Sequence, residues 1–349
     1  MNKRIYINIS DIASYINQNK WGIIDAFERL WKKSDDNYNI QINKLKEIIN
    51  ESNKNLEEIK EEKKELLDNL NEKKINKDLY DIELIKINKK EDDINMDIID
   101  TSEKVDNIVV SKYDKVKNNL GENMMNMIKD TSINLKNKKK EINNFIEKLD
   151  LKEEKKIKLI NDTESLMKTT YGLNMEKTAI ELFEERYNTK LDTTQKYYCN
   201  IVKKTKNKIW YIGGKLDGIN EEYIVEIKNR TNRFFNVIRE YELTQIQLYL
   251  YLTNMKNGKL VEKFKNNIKV IDIEYDKDYV RKILEYLNIV IDKMEEFIKN
   301  DELKEEYINM LNEDEKIRFI YKLYINDVIK KINEYENIKY PSDLDTDEL

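Results

Sequence analysis

The chain has 349 residues, a net charge of −5 and 38% charged residues, and its mean hydropathy is −0.80. No apolar run approaches the roughly 18 residues that a membrane-spanning helix needs. Histidine is absent, which excludes His-ligated zinc sites, Ser-His-Asp triads and histidine general bases. Any hydrolytic chemistry must therefore rest on carboxylates, lysines and a hard metal ion.

Cysteine content and the first residues bear on the compartment. The single cysteine, Cys199, cannot form an internal disulfide, so we expect a reducing compartment, the cytoplasm or the nucleus. The opening MNKRIYINISDIASYI lacks the apolar core and cleavage site of a secretory signal. We expect a soluble chain with no membrane contact. The negative net charge argues against a protein coated in nucleic acid, although a local basic track still allows DNA binding.

A long stretch of the chain contains no helix breaker. No glycine lies between Gly22 and Gly121, and Pro341 is the only proline, so this stretch is predicted to be helical. Its apolar residues follow a coiled-coil spacing, interrupted at Ser52 and Lys63. They are Ile42, Leu45, Ile49, Leu56, Ile59, Leu66 and Leu70. A hairpin of antiparallel helices and self-association both fit this pattern.

From about residue 162 helices alternate with strands. Helices are predicted in TESLMKTTYGLNMEKTAIELFEERYNTK, REYELTQIQLYLYLT and KDYVRKILEYLNIVIDKMEEFIKN, and strands in KIWYIGGKLDGI, YIVEIKNR and IKVIDIEYD. The order is α-β-β-α-β-α. The expected fold class is α/β (α+β), with a mixed β-sheet flanked by helices. Two more helical patterns precede an acidic tail, PSDLDTDEL, which is predicted to be disordered.

Two acids and a lysine lie close together in GGKLDGINEEYIVEIKNR. Asp217, Glu226 and Lys228 form the pattern D-x8-E-x-K, and Glu226 and Lys228 share one face of their strand while Val225 and Ile227 share the other. Carboxylates on neighbouring strands can hold one or two Mg²⁺ ions. The lysine can stabilise charge or orient the attacking water beside them. This pattern therefore predicts a metal site.

The alternative interpretation of the triplet is a solvated ion pair, which is common on an exposed strand face. The surrounding glycines favour a site. Gly213, Gly214 and Gly218 are three of only seven glycines in the chain. They bracket Asp217, as expected where the backbone bends or approaches a ligand.

The segment resembles the PD-(D/E)xK nuclease core, and the wider layout is similar to the lambda exonuclease and YqaJ viral recombinase branch. The matching elements occur in order: Glu176 in GLNMEKTAIELF, Asp217 in KLDGI, Glu226 and Lys228 in VEIK, and Gln245 with Tyr249, or Gln247 with Tyr251, in QIQLYLY. Residues two apart on a helix point in nearly opposite directions, so one glutamine can face the site. The sequence leaves open which one. Leu216 departs from the usual proline, and VEIKNR lacks the Cys-Pro that often follows, but neither change removes a ligand.

The resemblance implies a Mg²⁺- or Mn²⁺-dependent deoxyribonuclease with a restriction-endonuclease-like core, more an exonuclease than an endonuclease, in viral DNA recombination, repair or processing. It implies metal binding by Asp217, Glu226, Glu176 and the Ile227 carbonyl, and a nucleophile positioned by Lys228. Gln245 or Gln247 would orient the groups around the metal. A structure-specific endonuclease with the same site is one alternative, and a non-catalytic coiled-coil scaffold or DNA-binding protein on a relic core is another.

Basic residues on both sides of the motif are candidates for phosphate contacts. Lys203, Lys204, Lys206 and Lys208 precede it, and Arg230, Arg233 and Arg239 follow it. Phe234 and Phe235 could stack on bases; the alternative is a solvated basic hairpin with a core aromatic pair. The residues expected at DNA are Lys215, Arg230, Arg233 and Tyr249.

The opening ISDIASYINQNKWGIIDAFERLWKK is similar to the first segment of YqaJ-type nucleases, in which two helices precede the catalytic region. The predicted domains are therefore 1–36, the N-terminal part of the nuclease; 37–161, a long helical coiled-coil insertion; 162–338, the PD-(D/E)xK core and C-terminal helices; and 339–349, the acidic tail. The insertion is expected to serve a protein partner, a homo-oligomer or DNA. The resemblance and the AT-biased composition suggest a DNA virus or phage, and hence the host cytoplasm.

Overall fold

The computed structural model describes residues 2–109, 111–130, 135–235, 237–310 and 312–339. The strands are β1 (Lys3–Asn8), β2 (Tyr197–Lys204), β3 (Lys208–Lys215), β4 (Gly218–Ile219), β5 (Ile224–Asn229), β6 (Asn257–Phe264) and β7 (Asn267–Glu274). The helices are α1 (Ile9–Tyr15), α2 (Ile23–Ser34), α3 (Tyr38–Asn71), α4 (Lys77–Val109), α5 (Lys112–Lys129), α6 (Leu135–Glu147), α7 (Glu153–Tyr187), α8 (Glu240–Thr253), α9 (Lys277–Phe297), α10 (Asp301–Asn309), α11 (Glu313–Ile320) and α12 (Asn326–Lys339). Residues 340–349 of the predicted acidic tail lie outside the described residues.

The strands form two mixed sheets, which together with the helices confirm the predicted α+β class. In the first sheet β3 lies between β1, to which it is parallel, and β2, to which it is antiparallel. The second sheet has the order β4-β5-β6-β7, in which the β5 and β6 pair is parallel and the other two pairs are antiparallel. No helix of the described ranges is long and apolar enough to cross a membrane.

Three strands were not predicted from the sequence. In β1 the buried Ile5 and Ile7 alternate with Tyr6, but the run is short and leads directly into a helix. Strand β2 is an edge strand of mostly exposed residues, and β6 buries charged residues, Glu262 and Lys263. Strands β2 and β6 therefore lack the apolar alternation that identifies a half-buried strand.

Contacts divide the described residues into two compact units. The first comprises the described residues of Met1–Lys33, Ser111–Lys299 and Ile317–Leu349, and the second those of Ser34–Val110 and Asn300–Lys316. Both sheets belong to the first unit. Helix α7 is continuous across residues 161 and 162, where the sequence analysis divided the chain; the predicted domain limits stay a prediction.

The second unit contains the antiparallel hairpin of α3 and α4, the first of the two arrangements that the coiled-coil spacing allowed. Lys63, a polar interruption of the predicted seam, lies 2.5 Å from the Glu91 carboxylate across the hairpin. Lys90 lies 3.4 Å from Glu62 one residue earlier on α3. The polar position in the seam is therefore matched by an opposite charge on the facing helix. Self-association stays a prediction.

Helices α5, α6 and the first half of α7 pack together within the first unit. Val116, Ile142, Ile146 and Leu159 are buried in their shared core. Helix α5 begins after Ser111, whose hydroxyl accepts a hydrogen bond from the Asp114 amide at 3.1 Å. This is a typical N-cap. The charged helical stretch therefore comprises a hairpin and a separate three-helix group.

The second sheet lies between α7 and α8. Phe183 and Ala179 of α7 pack on Val225, Ile227 and Val261 of the sheet, and all five are at least nine-tenths buried. Because neighbouring residues of a strand face opposite sides, Glu226 and Lys228, which alternate with Val225 and Ile227, face α8. The apolar side of β5 thus fixes the direction in which its charged side points.

We predict that Phe183→Ala lowers the free energy of unfolding by about 3 to 5 kcal/mol, because it empties the centre of this apolar layer. Tyr187→Ala is the matched control. Tyr187 stacks on the Phe183 ring but is 45% exposed, so its loss is expected to remain below about 1.5 kcal/mol. Chemical unfolding of both variants, followed by circular dichroism, measures the difference; equal losses would contradict the assignment of Phe183 to the core.

Candidate active site

Asp217 lies between β3 and β4, where the chain leaves the first sheet and enters the second. The glycines around it permit close contact with two tyrosines. A Cβ atom on Gly213 would lie 2.5 Å from the Tyr197 hydroxyl, and one on Gly214 would lie 2.8 Å from the Tyr249 hydroxyl. These glycines therefore make room for aromatic side chains beside the acid.

The Asp217 carboxylate is held by the backbone of β5. Its Oδ2 accepts a hydrogen bond from the Ile227 amide at 2.7 Å. Burial and the nearby Glu226 charge raise the pKa of Asp217 well above its ordinary value, against the Ile227 amide and the Lys228 charge, which lower it. The amide and carbonyl of one strand residue point to the same edge, so the Ile227 carbonyl also faces the Asp217 side.

Glu226 and Lys228 form the charged pair of β5. The Lys228 ammonium donates to Glu226 Oε1 at 2.8 Å and to Gln245 Oε1 at 2.9 Å. Glu226 is 3% exposed, which excludes the solvated ion pair considered from the sequence. Burial lowers the pKa of Lys228, but the Glu226 charge and hydrogen bond outweigh it, and the net pKa is raised.

Glu176 approaches the same group from α7. Burial raises the pKa of Glu176, the Glu226 charge raises it further, and a hydrogen bond with Gln195 lowers it. Glu176 also raises the pKa of Asp217. Lys228 thus contacts Glu226 directly, and Asp217 and Glu176 lie within electrostatic reach of Glu226 and of each other. We call these four residues the acidic cluster.

The two glutamines of α8 have different surroundings. Gln245 bonds Lys228 and hydrogen-bonds the Tyr249 hydroxyl. Gln247 is 3% exposed; its amide nitrogen donates to the Glu274 carbonyl at 2.8 Å, and its oxygen accepts from the Asp276 amide at 2.8 Å. Gln245 therefore faces the acidic cluster, and Gln247 is placed away from it at the end of β7.

Of the four residues expected at DNA, Lys215 and Arg233 are exposed. Tyr249 is 4% exposed, and burial with the Glu226 charge raises the pKa of its hydroxyl, so the ring packs inside the site. Arg230 is buried as well. It donates to Glu242 from two nitrogens at 2.7 and 2.8 Å and to Glu262 at 2.8 Å. In this arrangement its guanidinium is engaged by carboxylates and is not available to phosphate.

Other basic and aromatic candidates are engaged in the same way. Lys203 pairs with Asp292 at 2.6 Å and the buried Lys208 with Glu295 at 3.2 Å. The guanidinium groups of Arg230 and Arg239 lie 3.9 and 4.7 Å from the centre of the Phe235 ring. Lys204, Lys206 and Arg239 are exposed and remain available to a polyanion.

Sequence reasoning missed several residues around the acidic cluster. Glu242 and Glu262 neutralise Arg230, and Gln195 contacts Glu176. Glu242, the first residue of ELTQIQ on a predicted helix, gave no signal of its partner. The pairing joins this helix, strand β6 and the residue that follows β5, which are far apart in the sequence. The polar run in β6 could have been recognised only if β6 had been assigned to the sheet.

The donor set can be compared with the needs of a metal ion. Within the described ranges no group of three or more Cys, His, Asp or Glu residues is close enough to hold a metal. Mg²⁺, however, keeps several waters and takes only one or two carboxylates. Asp217 and Glu226, with the Ile227 carbonyl on the same side, fit that demand, and their mutual charge repulsion shows that they lie within electrostatic reach.

No family model matches the chain. Reticulocyte-binding protein homolog 1 of Plasmodium falciparum (isolate 3D7) is 24% identical over 184 residues, which is 51% of this chain and 6% of that protein. The chain thus spans a small fraction of this relative.

Solved structures with some likeness include an alkaline exonuclease. The crystal structure of SSO0001 is 20% identical with a TM-score of 0.27, and covers 34% of this chain and 57% of that chain. The alkaline exonuclease LHK-Exo from Laribacter hongkongensis is 14% identical with a TM-score of 0.32, over 40% of this chain and 73% of that chain. Its complex with dAMP gives 13% identity and a TM-score of 0.30, over 38% and 70% of the two chains. At these values the chemistry must be argued from the residues of the acidic cluster.

We predict that Asp217→Asn raises the melting temperature of the metal-free protein at pH 8 by about 2 to 4 °C. A raised carboxyl pKa means that ionisation of Asp217 destabilises the folded state, so stability falls as pH rises through that pKa. Asparagine keeps an oxygen for the Ile227 amide without the charge. The gain should be absent near the ordinary aspartate pKa of 3.8 and grow with pH.

Thermal melts from acidic to alkaline pH in EDTA measure this gain. Asp192→Asn is the control of opposite sign, because the Thr194 amide lowers the pKa of this exposed carboxylate. That variant should melt at or below the temperature of the unmodified protein. A lower melting temperature for Asp217→Asn at every pH would contradict the electrostatic description.

Proposed function

We propose that the chain is a divalent-metal-dependent deoxyribonuclease that hydrolyses DNA phosphodiester bonds, and, by the resemblance described from the sequence, an exonuclease. One observation carries the proposal. The buried Glu226 and the half-buried Asp217 and Glu176 lie within electrostatic reach of one another, beside a lysine that is bonded to both Glu226 and Gln245. Glu226 raises the pKa of Asp217 and Glu176, and this repulsion destabilises the fold, so a structural role explains the grouping poorly.

The two carboxylates of the sheet would hold the metal, with the Ile227 carbonyl as a further ligand and Glu176 on a second ion or its water. When bound, a divalent ion supplies charge neutralisation at the phosphate and lowers the pKa of the attacking water. The Asp217 carboxylate is already oriented for this by the Ile227 amide. Glu226 is oriented by Lys228.

Lys228 would position the nucleophile. Its ammonium has three hydrogens to donate, and two are directed to Glu226 and Gln245. The third can reach a water or a phosphate oxygen beside Glu226. Since its pKa is raised, Lys228 stays protonated at neutral pH and acts as a donor of hydrogen bonds and positive charge.

DNA would approach along the exposed cations around the cluster. Lys215 is the last residue of β3, two residues before Asp217, and Arg233 and Arg239 lie between β5 and α8. Contacts from such residues to phosphates position a strand without reading its sequence. We therefore expect weak sequence preference and strong dependence of DNA binding on salt.

We predict that the purified full-length protein degrades linear duplex DNA from its ends with Mg²⁺ or Mn²⁺, and that Asp217→Asn lowers the rate at least about 100-fold. Gel assays on end-labelled linear DNA measure the rate. Because the variant is expected to be at least as stable as the parent, the loss cannot come from unfolding. Asp192→Asn should retain the parental rate.

Two further readouts decide between the alternatives. Mn²⁺ should raise the melting temperature of the parent more than that of Asp217→Asn, since a ligand stabilises the state that binds it. Cleavage of covalently closed circles would favour an endonuclease with the same site. If the protein cleaves no DNA and Mn²⁺ does not change its melting temperature, the nuclease proposal fails and the scaffold alternative remains.

The two glutamines allow a matched comparison. Gln245→Ala is predicted to lower the cleavage rate about tenfold or more with little change in melting temperature, because it releases Lys228. Gln247→Ala should lower the stability by about 1 to 3 kcal/mol, because it leaves the Glu274 carbonyl and Asp276 amide without their partner. Rate and melting curves on both variants test this. The reverse pattern would contradict the placement of Gln245 at the site.

A further inference from the structure

Trp21 is more exposed than any other large apolar side chain of the described residues. It is 97% exposed, whereas the other two tryptophans, Trp31 and Trp210, are fully buried. Leaving a large aromatic ring in water forgoes roughly 1.5–3 kcal/mol of burial energy. A ring in this position is typical of a binding surface.

The loop that carries Trp21 is fixed rather than loose. The Gln18 side chain accepts from the Thr244 hydroxyl at 2.6 Å and donates to Glu240 at 3.0 Å. Asn17 accepts from the Tyr321 hydroxyl at 2.6 Å. A Cβ atom on Gly22 would lie 2.9 Å from the Ser14 hydroxyl, so the chain packs closely where the loop ends. The ring is therefore presented by a rigid support.

This support is the beginning of α8, the helix that carries Gln245. Glu240 is the first residue of α8, and Gln245 follows about 8 Å further along the helix at 1.5 Å per residue. That distance matches roughly two steps of a DNA strand at about 3.4 Å each. A strand with a phosphate at the acidic cluster would thus bring a neighbouring nucleotide to the rim where the Trp21 loop is attached.

Two exposed cations lie along this rim, close in sequence to the Gln18 and Glu240 side chains that bond each other. Lys20 is exposed next to Trp21, and Arg239 is exposed directly before Glu240. The aromatic residues suggested from the sequence are already engaged: Phe235 lies against two guanidinium groups, and Phe234 packs edge-on against Phe264. Aromatic rings beside cations are the usual platform for unpaired bases.

We propose that Trp21 stacks on an unpaired nucleobase of the DNA strand whose phosphate occupies the acidic cluster. The identity of the ligand rests on the proposed function. Stacking needs only the face of a base, so the contact is independent of sequence and requires a base that is free of its partner. The substrate class is therefore single-stranded DNA, or a duplex end whose terminal base is unpaired.

Binding without cleavage tests this proposal. The Asp217→Asn protein is mixed, in excess Mg²⁺, with a fluorescent oligothymidylate, or with an oligonucleotide of equal length made of abasic sites, which keeps the phosphates and lacks the bases. We expect anisotropy to show about fivefold to 100-fold tighter binding of the oligothymidylate. Adding Trp21→Ala should remove this preference and leave the affinity for the abasic strand unchanged. Trp21→Phe should restore part of it, and Tyr187→Ala should have no effect.

Tryptophan fluorescence gives an independent signal. Because Trp31 and Trp210 are fully buried, quenching by added oligothymidylate reports on Trp21, and the abasic strand should not cause it. Equal affinity of the parent for both strands, or equal weakening of both by Trp21→Ala, would overturn the proposal. Neither measurement needs hydrolysis, so base-dependent quenching in a protein that cuts no DNA would remove the nuclease proposal and leave the stacking contact.

Discussion

The acidic cluster depends on one constraint: carboxylates of like charge lie near one another and are only partly solvated. Glu226 raises the pKa of both Asp217 and Glu176, and Lys228 is the cation that offsets part of this charge. Such a grouping is unfavourable until a further cation arrives. Its stability must come from elsewhere, and it comes from the apolar layer formed by α7 and the other side of β5. Strand β5 therefore carries Glu226 on one side and, on the other, the apolar side chains that hold the strand in place.

A second charged group, directly after β5, shows the opposite balance. Arg230 is buried, and its guanidinium is matched by Glu242 of α8 and Glu262 of β6. Every strong donor has an acceptor there, so the group is satisfied without a ligand. The two charged groups thus differ in whether their charge is neutralised within the protein.

The helical hairpin of the second unit has its own apolar surface. Beyond the residues that face α3, helix α4 exposes Ile82, Ile85, Met96 and Ile99 to the extent of 52 to 68%. These residues lie on one side of the helix. The partner or oligomer expected from the coiled-coil spacing stays a prediction, and this side of α4 is where it would bind.

The sequence by itself determined the helical stretch, the β4 and β5 hairpin, β7 and the two faces of β5, because each depends on local spacing and on the absence of breakers. It also named the acids and the lysine, since strand periodicity places Glu226 beside Lys228. It could not choose between Gln245 and Gln247, because that depends on which side of α8 meets β5. Nor could it show that Arg230 is neutralised, that β6 buries charge, or that Trp21 is exposed while Trp31 and Trp210 are buried. Those features are set by contacts between residues far apart in the chain, and only the packed structure decides them.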